Sequence, residues 1–146
     1  MSVPFGFDDP YASPGFLLWR VSGAWQRQIR ASLRDLELTH AQFVFLATLA
    51  WQQSHGEVTQ AGLAQLIGMD VMTASQLARD LEKRALLERP TKIGDARART
   101  LRVTARGLEV VQVAVPLVEA ADAAFFKPLE SNETFIRGLR KLIGVT

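Results

Sequence analysis

Apolar residues recur at helical spacing in six stretches of this chain, and only near residues 86–103 does the pattern shorten to that of strands. The first stretch runs from Phe16 to Leu36, where Leu18, Val21, Trp25, Ile29, Leu33 and Leu36 share one side. Arg20, Arg27, Arg30 and Arg34 fall on another side and read as a solvated face. Ahead of it, residues 1–14 carry Pro4, Pro10 and Pro14, which prevent regular pairing, so a loose arm is expected. The second helix opens at Thr39, with Gln42 three residues later, the spacing at which each side chain satisfies an amide of the first turn. It should run from about His40 to Gln53 and bury Phe43, Leu46, Ala47, Leu49 and Ala50. Gly56 then breaks the chain.

Residues 59–90, TQAGLAQLIGMDVMTASQLARDLEKRALLERP, are the most organised part of the sequence. Thr59 can cap a short helix with Leu63, Ala64, Leu66 and Ile67, which ends at Gly68, a residue suited to the left-handed conformation that closes helices. Asp70 can cap the next, running to about Arg84 with Val71, Ala74, Leu77, Ala78 and Leu81 on its inner face. Two short helices joined by a tight glycine turn make a helix-turn-helix.

LLERP and TLRVT follow as short strand candidates around the polar loop TKIGDARAR, which bends at Gly94. Leu101 and Val103 point one way and Arg102 the other. A helix-turn-helix followed directly by a basic hairpin is a winged helix, with the hairpin as its wing. Beyond Thr104, a good cap, a long helix should kink at Pro116 and stop at Pro128. Ser131 can cap a last helix bearing Phe135, Ile136, Leu139, Leu142 and Ile143. The first, fifth and last helices hold more apolar surface than a small winged helix can cover, which predicts a dimerisation layer built from both ends of the chain. The expected fold is mainly α with a small β-hairpin wing. Its parts are an arm at 1–14, a dimerisation helix at 15–38, a winged helix-turn-helix lobe at 39–104 and dimerisation helices at 105–146.

Total charge adds little, since 17 basic residues stand against 15 acids. Its distribution adds more. Residues 79–106 hold nine basic side chains and four acids, a local net of +5, while the remainder is net −3. That asymmetry suits a localised phosphate-binding surface, and the wing's arginines could reach phosphates or the minor groove beside the second helix of the pair.

With no cysteine, disulfides, thiolate metal sites and thiol redox sensing are excluded. The opening segment lacks the charged start and apolar run of a signal peptide, and no run of about 18 apolar residues occurs, so the cytoplasm is the expected location. Asn132-Glu133-Thr134 matches the glycosylation triplet by chance if the protein is not secreted. Phosphate-loop, zinc-protease and serine-hydrolase motifs are missing, and His40 and His55 lack evident partners and read as surface residues. An enzyme is therefore not expected, nor a cofactor or metal.

Three segments, LTHAQFVFLATL, LAQLIGMDVMTASQLARDLEKRALLER and DARARTLRVTARG, resemble the MarR family of winged helix-turn-helix transcriptional regulators over about residues 16–143. The last is similar to the family pattern D-x-R-x-x-x-V-x-L-T-x-x-G, supplied by Asp95, Arg97, Leu101, Val103, Thr104 and Gly107, with leucine and valine exchanged. The resemblance implies a homodimer that binds a pseudo-palindromic DNA operator, acts as a repressor and is released by a small aromatic or anionic ligand. A module of the same fold without operator binding is the alternative.

Carried onto this chain, the DNA-binding set is Thr73, Ser75, Gln76, Arg79, Lys92, Arg97 and Arg99, with Arg97 in the minor groove. Asp95 either braces the wing or serves only as a turn residue. Gln76 stands where arginine is common and could read adenine, and Met72 stands where a small polar residue is common. Ala85 replaces the glycine usual before the first wing strand, which strains that turn. Trp19, Trp25, Phe43 and Trp51, with Phe45 beside them, are candidates for a ligand pocket, although aromatics at this spacing also serve as core.

Overall fold

Six polar side chains set where the helices begin, each by accepting a bond from an amide that has no partner inside its helix. The computed structural model describes residues 2–90 and 99–146. Ser13 accepts from Phe16 N at the head of α1 (Pro14–Leu33). Thr39 and Gln42 complete the expected capping box at α2 (His40–Gln53). Thr59 accepts from Gly62 N to open α3 (Gln60–Ile67), and Asp70 from Thr73 N to open α4 (Val71–Lys83). Thr104 does the same with Gly107 N for α5 (Ala105–Phe126), and Ser131 with Glu133 N for α6 (Asn132–Leu142).

The helix ends carry their own chemistry. Gly68 closes α3 at φ 84° and frees the chain to turn directly into α4. After α4, Ala85 occupies the left-handed region at φ 59°, the strain expected of a residue other than glycine there. α1 passes into a 3-10 turn at Arg34–Leu36, so Leu36 lies beyond the α-helix proper. α5 continues through Pro116 and ends at Phe126, two residues ahead of Pro128. In the arm, a single 3-10 turn forms at Pro10–Ala12.

Three short antiparallel strands follow the order β1 (Val58–Thr59), β3 (Thr100–Val103), β2 (Leu87–Glu88). β3 lies in the middle, pairing Val58 with Leu101 on one side and Leu87 with Val103 on the other. The hairpin partners β2 and β3 match the sequence reading, whereas β1 is an addition: two residues are too few to show alternation. Leu101 and Val103 are buried and Arg102 is exposed, as their alternation requires.

One continuous core joins every layer except α6. It contains Ile29 and Leu33 from α1, Phe45, Leu46 and Leu49 from α2, Leu63 from α3, Ala74, Leu77 and Leu81 from α4, and Ala114 and Val118 from α5. Val71 departs from expectation. It should face inward, yet it is 72% exposed, because as the first residue of α4 it stands at the helix end, on the rim of a cleft rather than under another described element. Leu66, Leu18 and Val21 are likewise exposed, and Phe43, Ala47 and Ala50 are only half-buried.

Two junctions fix the lobe to the terminal helices. At the first, Thr104 donates its amide to the Leu86 carbonyl at 3.1 Å and its hydroxyl to the Ala85 carbonyl at 2.6 Å. Gly107 packs its Cα face onto the same backbone, where a Cβ would sit in hard contact with the Leu86 carbonyl oxygen. At the second, the Arg84 guanidinium donates to the carbonyls of Glu37 at 2.7 Å and Leu36 at 3.3 Å.

Candidate nucleic-acid interface

α4 turns its apolar stripe of Ala74, Leu77, Ala78 and Leu81 into the core, and this leaves Thr73, Gln76 and Arg79 exposed and Ser75 half-buried on the outer side. Those four expected DNA-binding residues therefore share one helix face, and they are bonded to one another or to nearby acids. Arg79 Nη1 donates to Ser75 Oγ at 2.7 Å and Nη2 to Gln76 Oε1 at 2.9 Å. Gln76 Nε2 donates to Asp80 Oδ1 at 2.8 Å. Thr73 gives both its amide and its hydroxyl to the Asp70 carboxylate at 2.8 Å. Those two bonds from Thr73, the amide first, hold the Asp70 carboxyl below its usual range. The i, i+3 and i, i+4 spacings of these partners were visible in the sequence, although Asp80 as a tether for Gln76 was not anticipated.

Arg99, at the entrance to β3, faces this helix across a cleft of about 520 Å³ that Val71, Ala74, Thr59, Gln60, Ala61 and Ala64 also line. Its backbone carbonyl accepts from Gln60 N at 2.8 Å, which ties the wing's returning strand to the first turn of α3. Lys92, Asp95 and Arg97 lie outside the described residues.

The basic run divides into structural and available charge. Arg84 serves the second junction. Arg89 bonds Gln60 Oε1 at 3.1 Å and approaches Glu82 at 3.5 Å, and Arg102 pairs with Glu88 across β2 and β3 at 2.6 Å. The last pair is exposed on both sides and adds little stability. Among the described residues, Arg79, Lys83, Arg99 and Arg106 enter no ion pair.

The expected ligand-pocket aromatics are dispersed. Trp19 is 78% exposed and lines a shallow groove on α1, and Trp51, 69% exposed, stacks on His55 with centroids 6.2 Å apart. Phe45 is fully buried in the core. Trp25 and Phe43 are half-buried, and Trp25 anchors a polar cluster that the sequence did not suggest. Its indole Nε1 donates to Asp122 of α5 at 2.7 Å, and its ring meets His40 of α2 edge-on at 4.9 Å. Far from lacking partners, His40 is held below its ordinary value, mainly by burial and further by Arg30, with Asp122 opposing. Trp25 and Asp122 are 97 positions apart in the chain, so only the fold could bring them together.

Among the described residues no three His, Asp or Glu side chains gather to hold a metal ion, and no helix is long and apolar enough to cross a membrane.

The family model described as MarR family matches residues 38–98. A Bacillus subtilis protein named uncharacterized HTH-type transcriptional regulator YdcH is 41% identical over 138 residues, covering 94% of each chain. The Mycobacterium tuberculosis MarR family protein Rv2887, solved in complex with salicylic acid, shares 31% identity and superposes with a TM-score of 0.68 over 92% of this chain and 98% of its own. Bordetella bronchiseptica BpsR, whose structure addresses regulation of DNA binding by 6-hydroxynicotinic acid, shares 25% identity with a TM-score of 0.83 over 99% of this chain and 100% of its own.

Proposed function

This chain belongs to the MarR family of transcriptional regulators, and on that premise we propose that it binds a pseudo-palindromic DNA operator as a homodimer and represses transcription. The observation that carries this reading is the shared outer surface of α4 and Arg99, where Thr73, Ser75, Gln76 and Arg79 stand on one face and Arg99 across the cleft. α4 is the element that enters the major groove, its first residues nearest the bases, while Arg79, Lys83 and Arg99 meet phosphates. Lys92 and Arg97 extend the contact along the wing toward the minor groove, with Asp95 bracing it.

Unpartnered apolar surface supports the dimer. α6 buries none of its residues within the protomer, although it carries Ile136, Leu139 and Leu142, with the exposed Ile143 directly after it. On α1, Phe16, Leu17, Leu18, Trp19 and Val21 are exposed together. A second copy covers these faces, so that segments 15–38 and 105–146 form the dimer layer and two lobes of residues 39–104 meet half-sites roughly 34 Å apart. Release by a small aromatic anion follows from the salicylic acid bound to Rv2887, which is named a transcriptional repressor. The half-buried Trp25 and Phe43, near the junction of α1, α2 and α5, are its contacts, with Trp19 and Trp51 at the rim.

The test is selection of bound fragments from random duplex DNA by the purified protein, followed by titration of the selected site at several salt concentrations. A recovered two-fold site whose affinity falls steeply with salt is the expected result, with a slope shallower by about one in Arg99→Ala. Arg97→Ala should weaken binding by about 1–3 kcal/mol. No enrichment at low salt overturns the proposal in favour of a module of this fold that does not bind operators.

A further inference from the structure

The polar side chains along the outer face of α4 are already satisfied. Thr73 is engaged by Asp70, Ser75 and Gln76 by Arg79, and Gln76 again by Asp80. To read an adenine edge, Gln76 must first release two partners at hydrogen-bond distance, which offsets much of what the new contact contributes. The side chains at the leading end of the helix are of another kind. Val71 is 72% and Met72 82% exposed, both apolar, and no described element covers them. They occupy the first two positions of α4, directly after its cap at Asp70, and Val71 also lines the cleft opposite Arg99.

Only one feature of the major groove rewards an apolar side chain, the C5-methyl group of thymine. Resting on the operator-binding reading above, we infer that Val71 and Met72 are specificity-determining residues that contact thymine methyl groups in each half-site. The helix thus selects its site by apolar contact at its tip, while the internally bonded polar residues behind it position the helix on phosphates. Charge complementarity supports this occupant, since Val71 lines a cleft with Arg99, and Arg79 follows Met72 two turns along the same side of α4, so that cations suited to a polyanionic backbone accompany the apolar tip.

The experiment uses the full chain and the duplex it selects, with single thymines replaced by uracil, a change that deletes one methyl group and leaves base pairing intact. Wild-type protein should lose about fourfold in affinity for each contacted methyl removed, the worth of burying one such group. Met72→Ala should lose the preference at the thymine that Met72 contacts and keep it at the one that Val71 contacts, while Met72→Leu should retain both. Because Met72 is solvent-exposed, both variants should unfold at the wild-type temperature. If uracil at every position leaves wild-type affinity unchanged, or if Met72→Ala and Val71→Ala both keep the full thymine preference, the inference fails while operator binding stands. Should α4's tip instead cover another copy, Met72→Ala will lower the assembled mass without altering thymine preference, which overturns it too. Failure to select any duplex removes this inference and the operator reading together.

Discussion

Adding a single methyl group at Gly107 should damage this protein more than its place in a helix suggests. Gly107 lies in the first turn of α5, and by helix propensity alone alanine there is favoured by about 1 kcal/mol. The surroundings reverse that sign. A Cβ at this position would come within 2.6 Å of Val103 Cγ1 and 2.9 Å of the Leu86 carbonyl carbon, closer still to its oxygen. That oxygen cannot swing aside, because it is backbone and already accepts from Thr104 N at 3.1 Å. Relief therefore requires α5 and the start of β2 to separate, at an overpacking cost of up to about 3 kcal/mol. Weakening the Thr104 bond adds about 1 kcal/mol. The net expectation for Gly107→Ala is a loss of about 2–3 kcal/mol, which lowers the melting temperature by roughly 4–10 °C for a chain of this size. Thermal melts followed by circular dichroism, at one fixed protein concentration because assembly shifts the midpoint, measure it directly. A melting temperature equal to or above wild type would mean that propensity outweighs the contact, and the close-approach argument would be refuted.

Other substitutions probe separate features. Ala85→Gly should raise the urea midpoint by the equivalent of about 0.5 kcal/mol, since relief of the left-handed strain at φ 59° exceeds the extra chain entropy glycine brings; a lower midpoint contradicts this. At His40 the folded protein disfavours the charged form, so as pH falls below about 6.5 the unfolded chain binds the proton first and stability declines until the folded-state value is passed. Urea midpoints at pH 7.5 and 5.5 should differ less in His40→Gln than in wild type, and an unchanged difference would exclude His40 as the source. Leu139→Asp, on the exposed apolar side of α6, should leave the protomer folded and shift sedimentation toward the monomer; an unaltered dimer would show that α6 does not form the interface.

The winged lobe was legible in the sequence because its signals are local. Thr39 with Gln42, Thr59, Asp70 and Thr104 each announce a helix start within three residues, and Gly68 announces a stop. Val71 differs from expectation because periodicity assigns a side of the helix but cannot tell where the helix outruns its neighbours. β1 escaped notice because its two residues owe their strand conformation to β3, some forty positions away. The Trp25, His40 and Asp122 cluster is of the same kind, assembled from three helices by tertiary packing. A composition count shows the charge of the basic run but not its division of roles: Arg84 and Arg89 hold the lobe together.

Arg84 gives α4 the mechanics of a lever. Its guanidinium grips the last carbonyls of the turn after α1, so any tilt of α4 that keeps those bonds must turn about its C-terminal end. The helix spans 13 residues, about 20 Å, so a tilt of about 10° about that point carries its opposite end through about 3 Å, close to the rise of one base step. A lysine could not hold such a pivot, since one ammonium lacks the planar fork that engages two oxygens at once.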